Sequence, residues 1–367
     1  MKIIGGAVFC SDKTLKNKDL CFENGRITKT SQSADIFDAS GCYVLPGFID
    51  THNHGCFGAE FSSPDQDLTA GLDKLSELGI TALLATTRTL FYEELYAAAR
   101  NLAAQKDDRI LGIHMEGPFV NPARIGAMNR HKICLPDIEL IKNMQLHSGG
   151  MVKMVSMAPE RENGYETVKY CAQNGITVSM AHTDATYEEA EKAFSLGARR
   201  LTHTYNGMRP FTHRDPGVLG YSLTNPEIEC ELICDLYHVS PAAIKMAVAC
   251  KGVDNITMIS DSGVFAGLGD GEYIVDGRKR YVRDGLCLAD DNKTIAGSTK
   301  TLYDGVKNMD RLGYSPAEIA VMASRNPARL CGDTTRGSLE EGCRADIVVL
   351  DKDFEITAVF LGGERIR

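Results

Sequence analysis

Apolar positions along the chain fall into two recurring kinds of segment. Short runs rich in aliphatic and β-branched residues occur at Gly47–Thr51, Thr81–Ala85, Ile110–Met115, Val152–Met157, Ile176–Ser179, Arg200–Thr202, Cys230–Cys234 and Ile256–Ser260. Stretches with helical spacing follow several of them, at Leu68–Leu78, Tyr92–Gln105, Gly164–Asn174, Tyr187–Leu196 and Pro241–Lys251. Apolar strands that alternate with helices predict a parallel sheet covered on both faces. Eight of them predict an α/β fold, a closed (β/α)8 TIM-type barrel rather than an open doubly wound sheet. An open nucleotide-binding sheet also lacks its marker, because no GxGxxG follows a strand and no P-loop occurs.

The two ends read differently. Lys2–Phe9, Asp19–Glu23 and Arg26–Thr30 have strand composition, and Asn24-Gly25 is a hairpin signal. Ala345–Asp351 reads as a buried strand, with further strands at Ile356–Phe360 and Glu364–Arg367. The ends form either two separate hairpins or one small β unit built from both termini.

Composition narrows the class. A chain of 367 residues, 43% hydrophobic and 24% charged, can bury a large core with a modest accessory unit. A net charge of −9 argues against a nucleic-acid surface, although it leaves room for a local cationic pocket. The 12 cysteines contain no CxxC pair and read as reduced thiols. The N-terminal MKIIGGAVFCSDKT lacks the apolar region of a signal peptide, and no stretch is long and apolar enough to cross a bilayer. The expectation is a cytoplasmic protein with no membrane partner.

Polar residues at the strand ends carry the chemistry. Asp50, His52 and His54 end the first strand, and His114 and Glu116 the third. His182 follows the fifth strand, His203 the sixth, Asp235 and His238 the seventh, and Asp261 the eighth. In a (β/α)8 barrel these ends converge on one face. His52-Asn53-His54 places two imidazoles on the same side of an extended segment, within reach of one ion. With Glu116, His182 and His203, the set suits a divalent metal of the zinc type. Asp261 is either a proton acceptor for an activated water or a helix N-cap. Arg209 and Arg214 are either phosphate contacts or surface ion pairs. Lys153 is expected to be structural or solvent-facing.

Several segments together resemble the N-acetylglucosamine-6-phosphate deacetylases of the amidohydrolase superfamily. They are PGFIDTHNHG at residues 46–55, HMEGPFVNP at 114–122, AHTDATYEEA at 181–190 and THTYNGMRPFTHRDPGVLG at 202–220. DLYHVSP at 235–241, ISDSGVFAGLGDGEY at 259–273, IAGSTKTL at 295–302 and NPAR at 326–329 continue the likeness. The resemblance implies a barrel over residues 47–335 and a small β-sandwich from 1–46 with 336–367. It implies a homodimer whose second subunit can reach the substrate. It implies a metal-dependent hydrolase of a C–N amide bond that releases acetate and glucosamine 6-phosphate.

Residue by residue, the resemblance makes Glu116, His182 and His203 metal ligands and adds His52 and His54 for a second ion. The expected cofactor is one or two divalent ions per subunit, zinc first, with iron, manganese or cobalt as alternatives. Asp261 matches the catalytic acid/base. Ala127, Asn206, Gly207, Arg214, His238, Ile295, Ala296 and Gly297 match substrate contacts, Arg214 toward either its own or a neighbouring subunit.

One position departs from the pattern. Met128 stands where many relatives have a histidine that polarises the acetyl carbonyl, and a thioether cannot donate a hydrogen bond. A second metal or His131 could take that role. Otherwise the substrate differs, for example N-acetylgalactosamine 6-phosphate. A catalytically inert barrel serving as an interaction protein is the alternative from another class.

Overall fold

The computed structural model describes residues 1–289, 291 and 293–367. Its centre is a set of eight parallel strands in sequential order. These are β1 (Phe48–Asn53), β2 (Ile80–Thr87), β3 (Ile110–Glu116), β4 (Val152–Met157), β5 (Thr177–Met180), β6 (Ala198–Leu201), β7 (Glu229–Ile233) and β8 (Ile256–Ile259). The order returns on itself just past β8. There the Asp261 N–H donates to His52 O at 2.9 Å, and the His54 N–H donates to Ser262 O at 2.9 Å. The sheet is therefore a nearly closed barrel, as the alternation of apolar runs predicts. All of β1 and β2 is buried, which is why these strands read as continuous rather than alternating apolar runs.

The expected helices occur at Thr69–Glu77, Tyr92–Gln105, Gly164–Gln173, Tyr187–Ser195 and Pro241–Lys251. Local chemistry sets their starts. Thr186 and Glu189 form a reciprocal capping box on Tyr187–Ser195. Ser240 caps Pro241–Lys251, with the proline in the first turn. Helices at Ile138–Ser148, Gly217–Thr224 and Leu302–Arg311 were not anticipated. Gly217–Thr224, GVLGYSLT, is mostly buried and carries almost no polar face, so no helical period marks it.

Both termini enter one six-stranded sheet. Ala7–Phe9, Leu15–Asn17 and Tyr43–Pro46 join Ile347–Leu350, Ile356–Leu361 and Glu364–Arg365. A second sheet of Lys2–Ile4, Leu20–Glu23, Arg26–Thr28 and Ile36–Asp38 packs on it across Ile3, Phe22, Val44, Val349 and Phe360. The expected single strand Lys2–Phe9 is in fact two. Gly5 has φ +73°, and a Cβ there would lie 2.4 Å from Ser40 Oγ, so the chain turns and its halves enter different sheets.

A three-stranded antiparallel sheet, Gly271–Val275, Arg278–Arg283 and Leu286–Leu288, follows β8 and was not anticipated. It leans over the carboxyl ends of the barrel toward the loop after β3. Lys132 Nζ meets Asp276 at 2.7 Å, and Arg278 donates to Ala127 O at 3.0 Å.

Candidate active site

Extended backbone at the end of β1 places the rings of His52 and of His54, one residue past the strand, on one side, with their Nε2 atoms 3.3 Å apart. Glu116, the last residue of β3, faces both pairs of histidines. Its Oε1 lies 3.2 Å from His182 Nε2 and 3.1 Å from His203 Nε2. Its Oε2 lies 3.3 Å from His54 Nε2. Asp261 Oδ1 closes the other side, 3.3 Å from His54 Nε2 and 3.5 Å from His52 Nε2. The six side chains form two groups, His52–His54–Asp261 and Glu116–His182–His203.

Backbone conformation aims three of these residues. His182, His203 and Asp261 have φ of +44°, +28° and +51° just beyond their strands. Left-handed non-glycine residues cost on the order of 1–3 kcal/mol each and persist where the surroundings impose them. For Asp261 the imposing contacts are its main-chain bonds to His52 O and Ser298 N–H, at 2.9 and 2.7 Å. The pairing that closes the barrel thus also brings the Asp261 carboxylate to the β1 histidines. Gly207 is required for a related reason. Its φ is +60°, and a Cβ there would lie 2.7 Å from His182 Nδ1.

Each cage histidine has its second ring nitrogen occupied. His54 Nδ1 meets Thr86 O at 3.2 Å, His182 Nδ1 meets Arg124 O at 2.8 Å and His203 Nδ1 meets Asn206 O at 3.1 Å. His52 Nδ1 meets the Glu231 carboxylate at 3.2 Å. Donation from Nδ1–H leaves each Nε2 lone pair turned into the cage. His182 Nε2 and His203 Nε2 are only 3.1 Å apart, an approach that two lone pairs oppose and a shared cation relieves. This N/O donor set fits a divalent metal ion.

The electrostatics agree. Burial works against a proton on His54, but Asp261 and Glu116 outweigh it and raise the group to about 10. His203 is raised to about 9 by Glu116 against the same burial. Burial would lift Asp261, yet His52 and His54 bring it down to about 2. Glu116 is likewise held well below the ordinary carboxylate range by its histidines, against its burial. Without an ion the ionised acids draw protons onto these histidines, positive charge that a metal on the Nε2 lone pairs would replace. His114 lies beneath the cage and is lowered to about 3 by burial and by His52. Its Nε2 bonds Ser156 Oγ at 2.7 Å, so it is a neutral structural residue.

A cavity of about 350 Å³ opens above the cage. Ala127, Asn206, Gly207, His238, Ile295, Ala296 and Gly297 line it, as do Glu116, Asp261 and three of the cage histidines. His238 donates from Nδ1 to Asp235 Oδ2 at 2.7 Å, which leaves Nε2 for a ligand. Arg214 is exposed and lies outside the lining of its own chain's cavity. Arg209 is spent on Asp215 Oδ2 at 3.0 Å and Asp184 O at 2.9 Å. His131 is exposed and Lys153 points outward from β4, and neither lines the cavity. Asp261 caps no helix, since the next one begins at Leu302. Met128 lines the cavity and accepts a hydrogen bond from Thr89 Oγ1 at 3.2 Å.

Other cavity residues were not foreseen. Arg88, paired with Glu60 at 3.1 Å, and Arg278 and Arg280 of the hairpin contribute a cationic wall. The run Arg278-Lys279-Arg280 was visible as basic residues, but only the hairpin shows that two of the three face the site.

A buried cage of imidazoles and carboxylates at the carboxyl ends of a parallel barrel defines a metal-dependent hydrolase. Residues 43–366 match the model of the amidohydrolase family, and the chain belongs to that family. It is similar to the N-acetylglucosamine-6-phosphate deacetylase of Lysinibacillus sphaericus, with 37% identity over 95% of this chain and 93% of that one. It is 33% identical to the N-acetylgalactosamine-6-phosphate deacetylase of Escherichia coli O157:H7, over 88% of this chain and 87% of the relative. Among solved structures, a mutant N-acetyl-D-glucosamine-6-phosphate deacetylase from Mycobacterium smegmatis, in complex with N-acetyl-D-glucosamine-6-phosphate, superposes with a TM-score of 0.94. That match has 30% identity and covers 100% of this chain and 99% of the other.

Proposed function

We propose that this protein hydrolyses the acetamide of N-acetylglucosamine 6-phosphate to glucosamine 6-phosphate and acetate. The observation that carries the proposal is the pair of candidate ligand groups, with Glu116 in contact with both, at the floor of a cavity of small-molecule size. The activity of its relatives supports the choice of substrate. In this reading His52 and His54 would hold one ion and His182 and His203 the other, with Glu116 within reach of both. Zinc is the first choice, with iron, manganese and cobalt as alternatives, because the same donors accept them all. A divalent cation there would acidify water and polarise the amide carbonyl.

The chain's own residues do the rest. Asp261, ionised and partly open to the cavity, takes the proton of the attacking water. As the tetrahedral carbon collapses, Asp261 returns that proton to the nitrogen, and the amine leaves. Ala127, Asn206, Gly207 and Ile295–Gly297 hold the sugar, and His238 meets the phosphate through Nε2. Arg214 adds a phosphate contact from a second subunit, which makes the working unit a homodimer. All 12 cysteines are unpaired, which suits the cytoplasm. Among the described residues, no helix is long and apolar enough to cross a membrane.

A second reading keeps the reaction and changes the sugar to N-acetylgalactosamine 6-phosphate. Met128 in the cavity wall and the similarity to the Escherichia coli relative favour it. Acetate release from both sugar phosphates, and from unphosphorylated N-acetylglucosamine, separates the cases. The highest kcat/KM is expected on N-acetylglucosamine 6-phosphate. Preference for the galacto epimer would replace the substrate, and release from none of the three would sink the deacetylase assignment.

A further inference from the structure

One cage histidine differs from the other three in what stands behind it. His54, His182 and His203 give their Nδ1 atoms to main-chain carbonyls. His52 alone gives Nδ1 to a carboxylate, Glu231 Oε2, at 3.2 Å. Glu231 lies on β7 and is fully buried. It is the inner end of a charge chain. Arg200 Nη2 is 3.5 Å from Glu231 Oε1, while Arg200 Nη1 is 2.6 Å from Glu229 Oε2. Glu229 Oε1 in turn meets Arg329 at 2.6 Å. Arg200 is itself only 1% exposed. A buried carboxylate is costly unless its charge is used.

We propose that Glu231 is the positioning residue that makes the His52–His54 half of the cage able to hold an ion. It fixes the His52 ring with Nε2 inward, and its charge makes that nitrogen a stronger donor. The Glu116–His182–His203 half relies on carbonyls and does not need Glu231. This inference rests on the two-ion reading above. Loss of such an outer partner ordinarily weakens metal binding about 10–100-fold.

The test is ion content per chain, measured on purified Glu231→Gln protein reloaded with zinc and dialysed against graded chelator. The charge is removed and the shape kept. Arg200 retains Glu229, so the guanidinium is not orphaned. Wild-type protein is expected to hold two ions, and the variant to lose one of them at about 10–100-fold less chelator. The second ion should leave both proteins at the same chelator concentration. A purely structural Glu231 would lower the melting temperature of the metal-free protein and leave both release steps in place. Two ions held with wild-type affinity in Glu231→Gln would overturn the inference alone. A single ion in wild-type protein would overturn the two-ion reading and the inference with it. If Glu231→Gln fails to fold, Glu231→Asp keeps the charge but draws it back from His52. It should lose the same ion, and unchanged binding there would refute the proposal.

Discussion

His52 and His54 come from the end of one strand, His54 one residue beyond it, whereas His182 and His203 come from two strand exits twenty-one residues apart. The first pair is aligned by the pleat and needs no unusual backbone. The second pair depends on left-handed residues at both positions and on the absence of a side chain at Gly207. The outer partners differ as well, an ionised glutamate behind His52 against carbonyls elsewhere. One half is rigid through its strand and tuned by charge. The other is held by loop conformation. Glu116 makes the hydrogen-bond-range contacts to histidines of both halves, so each half can be perturbed separately.

The largest expected effect comes from Asp261, which carries the proton in the proposed chemistry. Asp261→Asn should lower kcat by about 10²–10⁴-fold, the usual worth of a positioned general acid and base. Metal analysis should still find the ion at Glu116, His182 and His203. Near-normal turnover would remove Asp261 from proton transfer.

A double substitution, His52→Ala with His54→Ala, should remove one ion per chain and leave the other in place. An unchanged count would mean that the two halves are a single site, and the comparison would collapse.

The smallest effect should come from Gly207→Ala. The added methyl meets His182 Nδ1 at 2.7 Å and forces a left-handed alanine. A destabilisation of about 1–3 kcal/mol is expected, visible in thermal melts. Ion binding should weaken at the His182–His203 half and stay unchanged at His52–His54. Equal weakening of both would show that loop strain spreads through Glu116.

What could be read early follows the same division. The eight strands and five of the helices were legible because buried parallel strands are short apolar runs and several helices carry capping residues. The cage was legible because its residues fall at or just beyond strand ends, where a barrel must converge. His52-Asn53-His54 was the plainest, since its spacing alone sets its geometry. The hairpin at Gly271–Leu288 was missed because its strands are half-exposed and charged, with no apolar run to mark them. Arg278 and Arg280 were therefore not placed at the cavity.

The sequence by itself determined the barrel and set His52, His54, Glu116, His182, His203 and Asp261 at or just past its strand ends, because each depends on a local pattern there, while their proposed roles came from the family resemblance. Tertiary structure alone decided that Glu231 stands behind His52, 179 residues away, and that Gly207 packs on the His182 ring. It also decided that Arg214 is exposed outside the lining of its own cavity while a distant hairpin supplies arginines. Contacts across the barrel join residues that share no period and no turn. Their pairing is set by strand order and register, which no short stretch of chain encodes.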